Sequence, residues 1–342
     1  YSTKDYPDGW ANIDPLLSYK SNFDGSVQGS KNPELIFTRT SDGTGTINDW
    51  MYQALPRTIS GNNRLCVTQK QVNAYAMNDG RTISEAANTG DYVTTGFTTE
   101  AYSENNPFLP AKVSLMYNKR EPRFYASIAY NGSVWEAASA SEPRYRNQQI
   151  FYYRGTEDGK QGFKEECPLT GMTLKKFYNS EDSRTDGGYV IEKTEMTIRY
   201  AEILLIASEA ALELGNDDKA LEYINDVRER AGLNGLESMT LLDIEQERRV
   251  EFALENQRWW DLKRWRRSHI VWDGVSESAR HWALFPYKVK DPRRPENGKW
   301  VFIRVKSNDM PNYRTFKMQN YYNFLDNSWL TNNPKLIRNP YQ

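Results

Sequence analysis

The pattern of apolar and polar positions changes near residue 195. Before that point, short apolar runs such as residues 35–37 are separated by Gly, Pro, Asn and Asp, and no long periodic segment occurs. Because these residues punctuate turns and loops, this half is predicted to consist of loops, short helices and a few strands. Within it, residues 123–135 alternate up to Asn131-Gly132, which predicts a β-hairpin with a primed turn.

Helical periodicity begins near residue 197. Over residues 197–214 the apolar positions recur every three or four residues and cover one broad face. Gly215 suits the left-handed residue after a helix, and Asn216 or Asp217 can cap a second helix that Gly232 ends. Two helices joined by about three residues must pack antiparallel.

The spacing of small and large residues in this helix pair is typical of a tetratricopeptide repeat. The positions that follow the pattern are Leu204, Ala207, Ser208, Ala211, Ala220, Ile224 and Val227. One repeat cannot bury its outer faces alone and roughly three are needed, yet no second copy occurs in the chain. We therefore expect either that other helices cover it or that further repeats precede residue 1.

A third helix is predicted over residues 241–255, a short helix over residues 258–266 and a strand over residues 299–306. Asn256 suits the end of the third helix, because Asn is a common non-glycine residue in the left-handed conformation. Tryptophans recur in the short helix at helical spacing, which favours a packed core over a sugar-binding platform. These tryptophans are Trp259, Trp260 and Trp265.

Composition limits the classes of protein. The 342 residues predict about two domains, and the mean hydropathy of −0.80 excludes a membrane-spanning helix in this chain. With 44 Lys and Arg against 45 Asp and Glu, there is no overall positive field to hold nucleic acid. Cys66 and Cys167 permit at most one disulfide and exclude a cysteine-based zinc cluster.

Signals for catalysis or metal binding are weak. His269 and His281 are the only histidines and have no metal-ligand or triad spacing. Residues 155–160 resemble a phosphate loop but have the wrong glycine spacing, and residues 182–187 resemble a calcium loop that lacks its closing Glu. We expect no catalytic residue, metal ion or cofactor, although abundant carboxylates leave a glycosidase pair open.

Five segments, in order along the chain, resemble the SusD/RagB family of outer-membrane nutrient-binding lipoproteins. They are residues 73–80 (NAYAMNDG), 120–125 with 130–135 (REPRFY and YNGSVW), 198–205 (IRYAEILL), 224–232 (INDVRERAG) and 247–262 (ERRVEFALENQRWWDL). The chain departs from the family pattern at Asn256, where Gly often stands, and at Cys66-Val67-Thr68, where Pro-Thr is usual. It resembles the C-terminal two thirds of a family member.

The resemblance implies a mainly α fold, with a tetratricopeptide-like helical hairpin scaffold, a loop-rich subdomain and a few short β-hairpins. The expected parts are a loop-rich ligand-binding region over residues 1–195, a helical region with the signature over 196–267, and a mixed segment over 268–342 that packs on the helices. Charged residues of the fifth segment are expected to tie helices together as Arg–carboxylate pairs. They are Glu247, Arg248, Arg249, Glu251 and Arg258. Arg199 and Tyr200 are expected to join the first helix to its neighbour.

The function that the resemblance implies is non-catalytic capture of an oligosaccharide or polysaccharide at the cell surface. The ligand would pass to a SusC-like TonB-dependent outer-membrane transporter. The protein would be a surface-exposed outer-membrane lipoprotein, attached only through an N-terminal lipid anchor absent from this chain. Nucleic acid is not an expected partner.

Sugar binding needs aromatic rings and hydrogen-bonding groups on loops. Residues 41–55 and 81–111 are the long loop stretches that carry exposed-looking aromatics. The candidate ligand-binding residues are Trp50, Tyr52, Arg81, Tyr92, Tyr102 and Asn105.

Two other classes of function stay open. One is a repeat-based protein-interaction scaffold without a small-molecule ligand, in which the aromatic loops would contact proteins. The other is a carbohydrate-active enzyme, which would need two carboxyl groups about 5–9.5 Å apart in a cleft.

Overall fold

The computed structural model describes residues 14–39, 47–98, 100–101, 109–159, 167–305 and 313–341. Its helices are α1 (Pro15–Lys20), α2 (Ile47–Ala54), α3 (Gln69–Val72), α4 (Ile83–Asn88), α5 (Pro122–Ser127), α6 (Tyr200–Glu213), α7 (Asp217–Arg230), α8 (Leu241–Glu251), α9 (Gln257–Arg264), α10 (Ser268–Val271) and α11 (Asn327–Asn332). Its strands are β1 (Leu35–Arg39), β2 (Phe97–Thr98), β3 (Glu100–Ala101), β4 (Val113–Ser114), β5 (Ile128–Ala129), β6 (Val134–Trp135), β7 (Gln148–Gln149), β8 (Thr173–Leu174), β9 (Glu195–Arg199), β10 (Ala283–Lys288) and β11 (Trp300–Val305). The long helices therefore lie in the second half of the chain, and short antiparallel pairs and loops fill the first.

The hairpin predicted over residues 123–135 is wrong. Pro122, whose fixed φ suits the first helical position, begins α5 instead. Strand β5 then pairs with β8, and β6 pairs with β7, so the two strands do not pair with each other. Alternation of apolar and polar residues predicts a strand only when one face of the strand is exposed to solvent. Residues 121–133 are all buried, so the alternation here does not mark an exposed and a buried face.

The predicted helical hairpin is present as α6 and α7. Gly215 has a φ of +70°, as predicted, and the side chain of Asn216 caps α7 by accepting from the Lys219 amide at 3.2 Å. The Ser208 hydroxyl donates to the Ala220 carbonyl at 2.7 Å and joins the two helices. Helix α6 starts later than predicted because Glu195–Arg199 forms β9 and pairs with β1. The tetratricopeptide character of the pair stays a prediction.

The third helix, α8, ends at Glu251, four residues before the predicted end. Leu254 (φ +68°) and Asn256 (φ +63°) both adopt the left-handed conformation, so the chain leaves the helix there and restarts as α9. The left-handed position expected for Asn256 is thus confirmed. The predicted C-terminal strand is β11, which pairs with β10 on one side and β2 on the other.

Aromatic residues build much of the core. Around Phe124, the rings of Tyr117 and Tyr130 stack with a centroid distance of 4.3 Å, and all three are buried. The core interpretation fails for Trp259 and Trp260, which are 43% and 63% exposed, because helical spacing shows which residues share a face but not whether that face is covered. Within the described ranges, no helix is long and apolar enough to cross a bilayer.

Candidate functional site

The charged residues of the fifth segment form a buried network around Glu251. This carboxylate is fully buried and accepts hydrogen bonds from Arg123 at 2.8 Å, from Arg199 at 2.7 Å and from Arg230. Burial alone raises the pKa of Glu251, but the three guanidinium groups outweigh it and hold that pKa well below its ordinary value. The expected Arg–carboxylate pairing between helices is confirmed at this residue.

The same network extends to other segments of the chain. Arg123 also binds Glu247 at 2.5 Å, and Arg199 binds Glu34 at 2.8 Å. Lys176 is fully buried and contacts Glu255 at 2.5 Å. Arg199 therefore joins α8 to the start of α6 as expected, and the charged side chains of this network bind one another. Tyr200, which was also expected to join α6 to its neighbour, is instead half exposed.

Two adjoining clefts offer room for a ligand. The first has a volume of about 490 Å³ and lies between α3, α7 and α8. The second, about 560 Å³, runs along α4 and the loop that follows it. Asn73 and Thr82 line both, so the two clefts meet there. We call the first the basic cleft and the second the tyrosine groove.

The tyrosine groove is lined mainly by small polar side chains and by Tyr92. Tyr92 is 7% exposed, and its buried hydroxyl has no hydrogen-bond partner among the described residues. Burial raises the pKa of Tyr92, so the phenol is protonated and can donate at neutral pH. Ser84 and Thr95 are exposed along the same groove. This arrangement can bind a neutral hydroxyl-rich molecule through hydrogen bonds.

The structure brings two of the six candidate residues into one segment. Arg81 binds Asp79 at 2.8 Å and Asp91 at 2.9 Å, and so holds the loop that carries Tyr92. Tyr92 itself packs in the core beneath the groove, although the sequence suggested an exposed ring. Tyr52 lies in another part of the fold, where the guanidinium of Arg184 sits 4.8 Å from its ring centre.

The other three candidates lie wholly or partly outside the described residues. Trp50 belongs to α2, but its side chain lies outside the described residues, as do Tyr102 and Asn105 entirely. Sequence reasoning missed Asn73 and Trp282, which line the basic cleft. No local signal could have found Trp282, because a backbone hydrogen bond of 3.1 Å from Gln69 brings it there from more than 200 positions away.

The described part of the chain contains no group of three or more His, Cys, Asp or Glu side chains that could hold a metal ion. Asp182, from the rejected calcium loop, is buried in an ion pair with Lys193 at 2.8 Å. His269 contacts the Tyr321 hydroxyl at 2.8 Å through Nδ1, and no disulfide joins Cys66 to Cys167.

Solved structures share this fold. A SusD-like protein from Bacteroides fragilis superposes with a TM-score of 0.66 at 23% identity, covering 96% of this chain and 58% of that protein. A SusD-like carbohydrate-binding protein from the same species has a TM-score of 0.57 at 22% identity, covering 89% of this chain and 54% of that one. The mainly α, SusD-like fold expected from the sequence is confirmed.

Sequence relatives point the same way. A SusD-like protein of Bacteroides ovatus is 44% identical over 73 residues, which are 20% of this chain and 13% of that protein. SusD-like protein P2 of Formosa agariphila is 35% identical over 105 residues, 27% of this chain and 21% of the relative. The chain thus matches only a small part of these relatives, but the model of the SusD family matches residues 33–341. The chain belongs to the SusD family.

Proposed function

We propose that this chain captures oligosaccharides without chemical turnover, as the binding component of a SusC/SusD-type uptake system. The observation that carries the proposal is the tyrosine groove, where the exposed hydroxyl groups of Ser84 and Thr95 line the same cleft as Asn73 and as Tyr92, whose buried hydroxyl has no hydrogen-bond partner among the described residues. Sugars offer many hydroxyl groups that both donate and accept, so a groove of small polar side chains over an aromatic residue suits them. Of the two Bacteroides fragilis proteins that share the fold, one is a SusD-like carbohydrate-binding protein, which agrees with this proposal.

In this proposal the Tyr92 hydroxyl donates to a sugar oxygen, and Arg81 holds the loop in place. Trp50, Tyr52, Tyr102 and Asn105 remain proposed contacts for other parts of the glycan. The bound glycan passes to a SusC-like TonB-dependent transporter. The protein acts at the outer-membrane surface, where a lipid anchor ahead of this chain holds it.

The test is an affinity-gel and glycan-array screen followed by calorimetry on the best ligand. Tyr92→Phe removes only the hydroxyl and is expected to weaken binding about tenfold with an unchanged melting temperature, since the sugar oxygen would lose its hydrogen-bond donor. Tyr189→Phe is the matched control, because Tyr189 is exposed and does not line the groove. Unchanged affinity after both Tyr92→Ala and Trp50→Ala would rule out these two contacts.

One observation favours a second candidate function, the repeat-based interaction scaffold. Helix α6 leaves Tyr200, Ile203 and Ile206 exposed, and a helix that is apolar on more than one face usually packs against something on each. The screen separates the two proposals. Binding of a soluble glycan supports uptake, and its absence at millimolar concentration supports the scaffold.

A further inference from the structure

The basic cleft contains two cations that form no ion pair with a carboxylate of the described residues. Lys70 projects from α3 and Arg249 from α8, and both line the cleft beside Trp282. Arg249 donates to the Lys70 carbonyl at 2.6 Å and to the Gln71 side-chain oxygen at 3.4 Å. Across the described residues, neither Lys70 nor Arg249 forms an ion pair with a carboxylate.

Acidic residues line the same cleft, but they are already engaged. They are Glu121, Asp243, Glu247 and Glu277. Arg123 binds Glu121 at 2.7 Å and Glu247 at 2.5 Å, and Arg304 binds Glu277. Asp243 accepts the Thr240 amide at 2.7 Å in the cap of α8, where the helix dipole favours a negative charge. These carboxylates are therefore poor partners for Lys70 and Arg249.

The charges around Lys70 are mostly positive. The pKa of Lys70 is lowered to about 8, mainly by partial burial and then by Arg249, Arg258 and Arg314, while Glu277 acts in the opposite direction. The neighbouring His281 has a lowered pKa because of burial first and then Arg314 and Lys70. An anion placed between these groups would relieve their mutual repulsion.

We propose that the basic cleft binds an acidic group of the glycan, so that this chain prefers polysaccharides carrying carboxylate or sulfate-ester groups. The inference rests on the proposed function and specifies its ligand. A sugar chain in the tyrosine groove would continue past Asn73 and Thr82 into the basic cleft, where its anionic group would meet Lys70 and Arg249.

The basic cleft also offers an aromatic wall. Trp282 is half buried, and the guanidinium of Arg304 lies 4.4 Å from its ring centre. That cation, which is paired with Glu277, covers part of the indole. The Asn73 side chain, whose oxygen accepts from Gln69 at 2.7 Å, is the polar group at the junction.

The experiment uses matched polymers that differ only in charge. Dextran, carboxymethyl-dextran and dextran sulfate form one set, and polygalacturonate and its full methyl ester form the other. Affinity gels and calorimetry are run at low and high salt, because an ionic contact weakens as salt screens it. The expected result is binding of at least one charged polymer and none of its neutral counterpart. Comparing the affinity for carboxymethyl-dextran with that for dextran sulfate shows whether the cleft prefers a carboxylate or a sulfate ester.

Variants assign the binding to the cleft. Lys70→Gln is expected to weaken charged-polymer binding about tenfold, as loss of one charged hydrogen bond does. Lys70→Arg keeps the charge and should retain binding. Lys335→Gln is the matched control, since Lys335 is exposed and does not line the cleft. Melting curves establish that each variant is folded.

Each outcome decides the proposal. Binding that Lys70→Gln lowers and Lys335→Gln leaves unchanged supports it. Equal loss in both variants, or no loss in either, shows non-specific attraction and overturns it. Binding of neutral glycans alone overturns this inference but leaves the proposed function intact, and binding of no glycan overturns both.

Discussion

Replacing Glu251 by Gln tests whether the buried network stabilises the fold. The network joins equal numbers of opposite charges within the described chain. Its carboxylates are Glu34, Glu121, Glu247, Glu251 and Glu255. Its cations are Arg123, Lys176, Arg199, Arg228 and Arg230. The amide of Glu251→Gln keeps the shape of the side chain but leaves one uncompensated positive charge away from water.

The magnitude follows from the burial of Glu251 and its three arginine partners. Removing one partner of a buried ion pair typically costs about 3–5 kcal/mol. With an unfolding entropy of about 2.1 cal/mol/K per residue over this chain, that cost lowers the melting temperature by roughly 4–7 °C. The control is Glu213→Gln, which changes an exposed carboxylate at the end of α6 and should shift the melting temperature by less than about 1 °C.

Thermal melts followed by circular dichroism, together with urea titrations, measure both variants. The folded pKa of Glu251 lies below its unfolded value, so its charge stabilises the protein above about pH 4.3 and ceases to do so as the pH falls. The difference between wild type and Glu251→Gln should therefore be largest near pH 7 and shrink under acid. A melting temperature no lower than that of Glu213→Gln would refute the stabilising role.

Three further predictions concern single positions. Asn256 has a φ of +63°, which glycine adopts easily and a β-branched residue does not. Asn256→Gly should therefore change the free energy of unfolding by less than about 0.5 kcal/mol, whereas Asn256→Val should lower it by about 1–2 kcal/mol. Urea titration measures both variants. Gly132→Ala should cost about 1–3 kcal/mol by the same assay, since an added Cβ would lie 2.4 Å from Val113 Cγ1 at a φ of +94°. Dextran sulfate binding should fall between pH 7 and pH 9 as Lys70 loses its proton, and stay constant for Lys70→Arg; calorimetry at each pH checks it.

Local chemistry explains what the sequence predicted well. Gly215, Asn216 and Asn256 act through their own backbone conformation or a side-chain cap, so a few neighbouring residues determine them. The false hairpin over residues 123–135 shows the opposite case. Its strands pair with residues 148–149 and 173–174, and nothing within the segment indicates those distant partners.

In the candidate site too, features set by neighbouring residues could be predicted, and features that depend on distant residues could not. Arg81 and Tyr92 lie just before and just after α4 and could be found together, although the sequence did not reveal that the Tyr92 ring lies beneath the surface. Lys70, Arg249 and Trp282 come from three separate regions and meet only in the fold. No spacing in the chain relates them, so the basic cleft was not predictable from the residues alone.

The fifth segment links the network to the basic cleft through one helix. Successive residues of an α-helix turn by about 100°, so Arg249 points roughly opposite to Glu251. Glu251 is fixed among three arginines, and Arg248 binds Asp261 of α9 at 2.8 Å. These buried contacts prevent α8 from rotating and hold Arg249 against Lys70. In the proposed function, Glu251 and Arg248 therefore act on ligand binding without contacting the glycan, because they set the position of Arg249, the charge that its anionic group would meet.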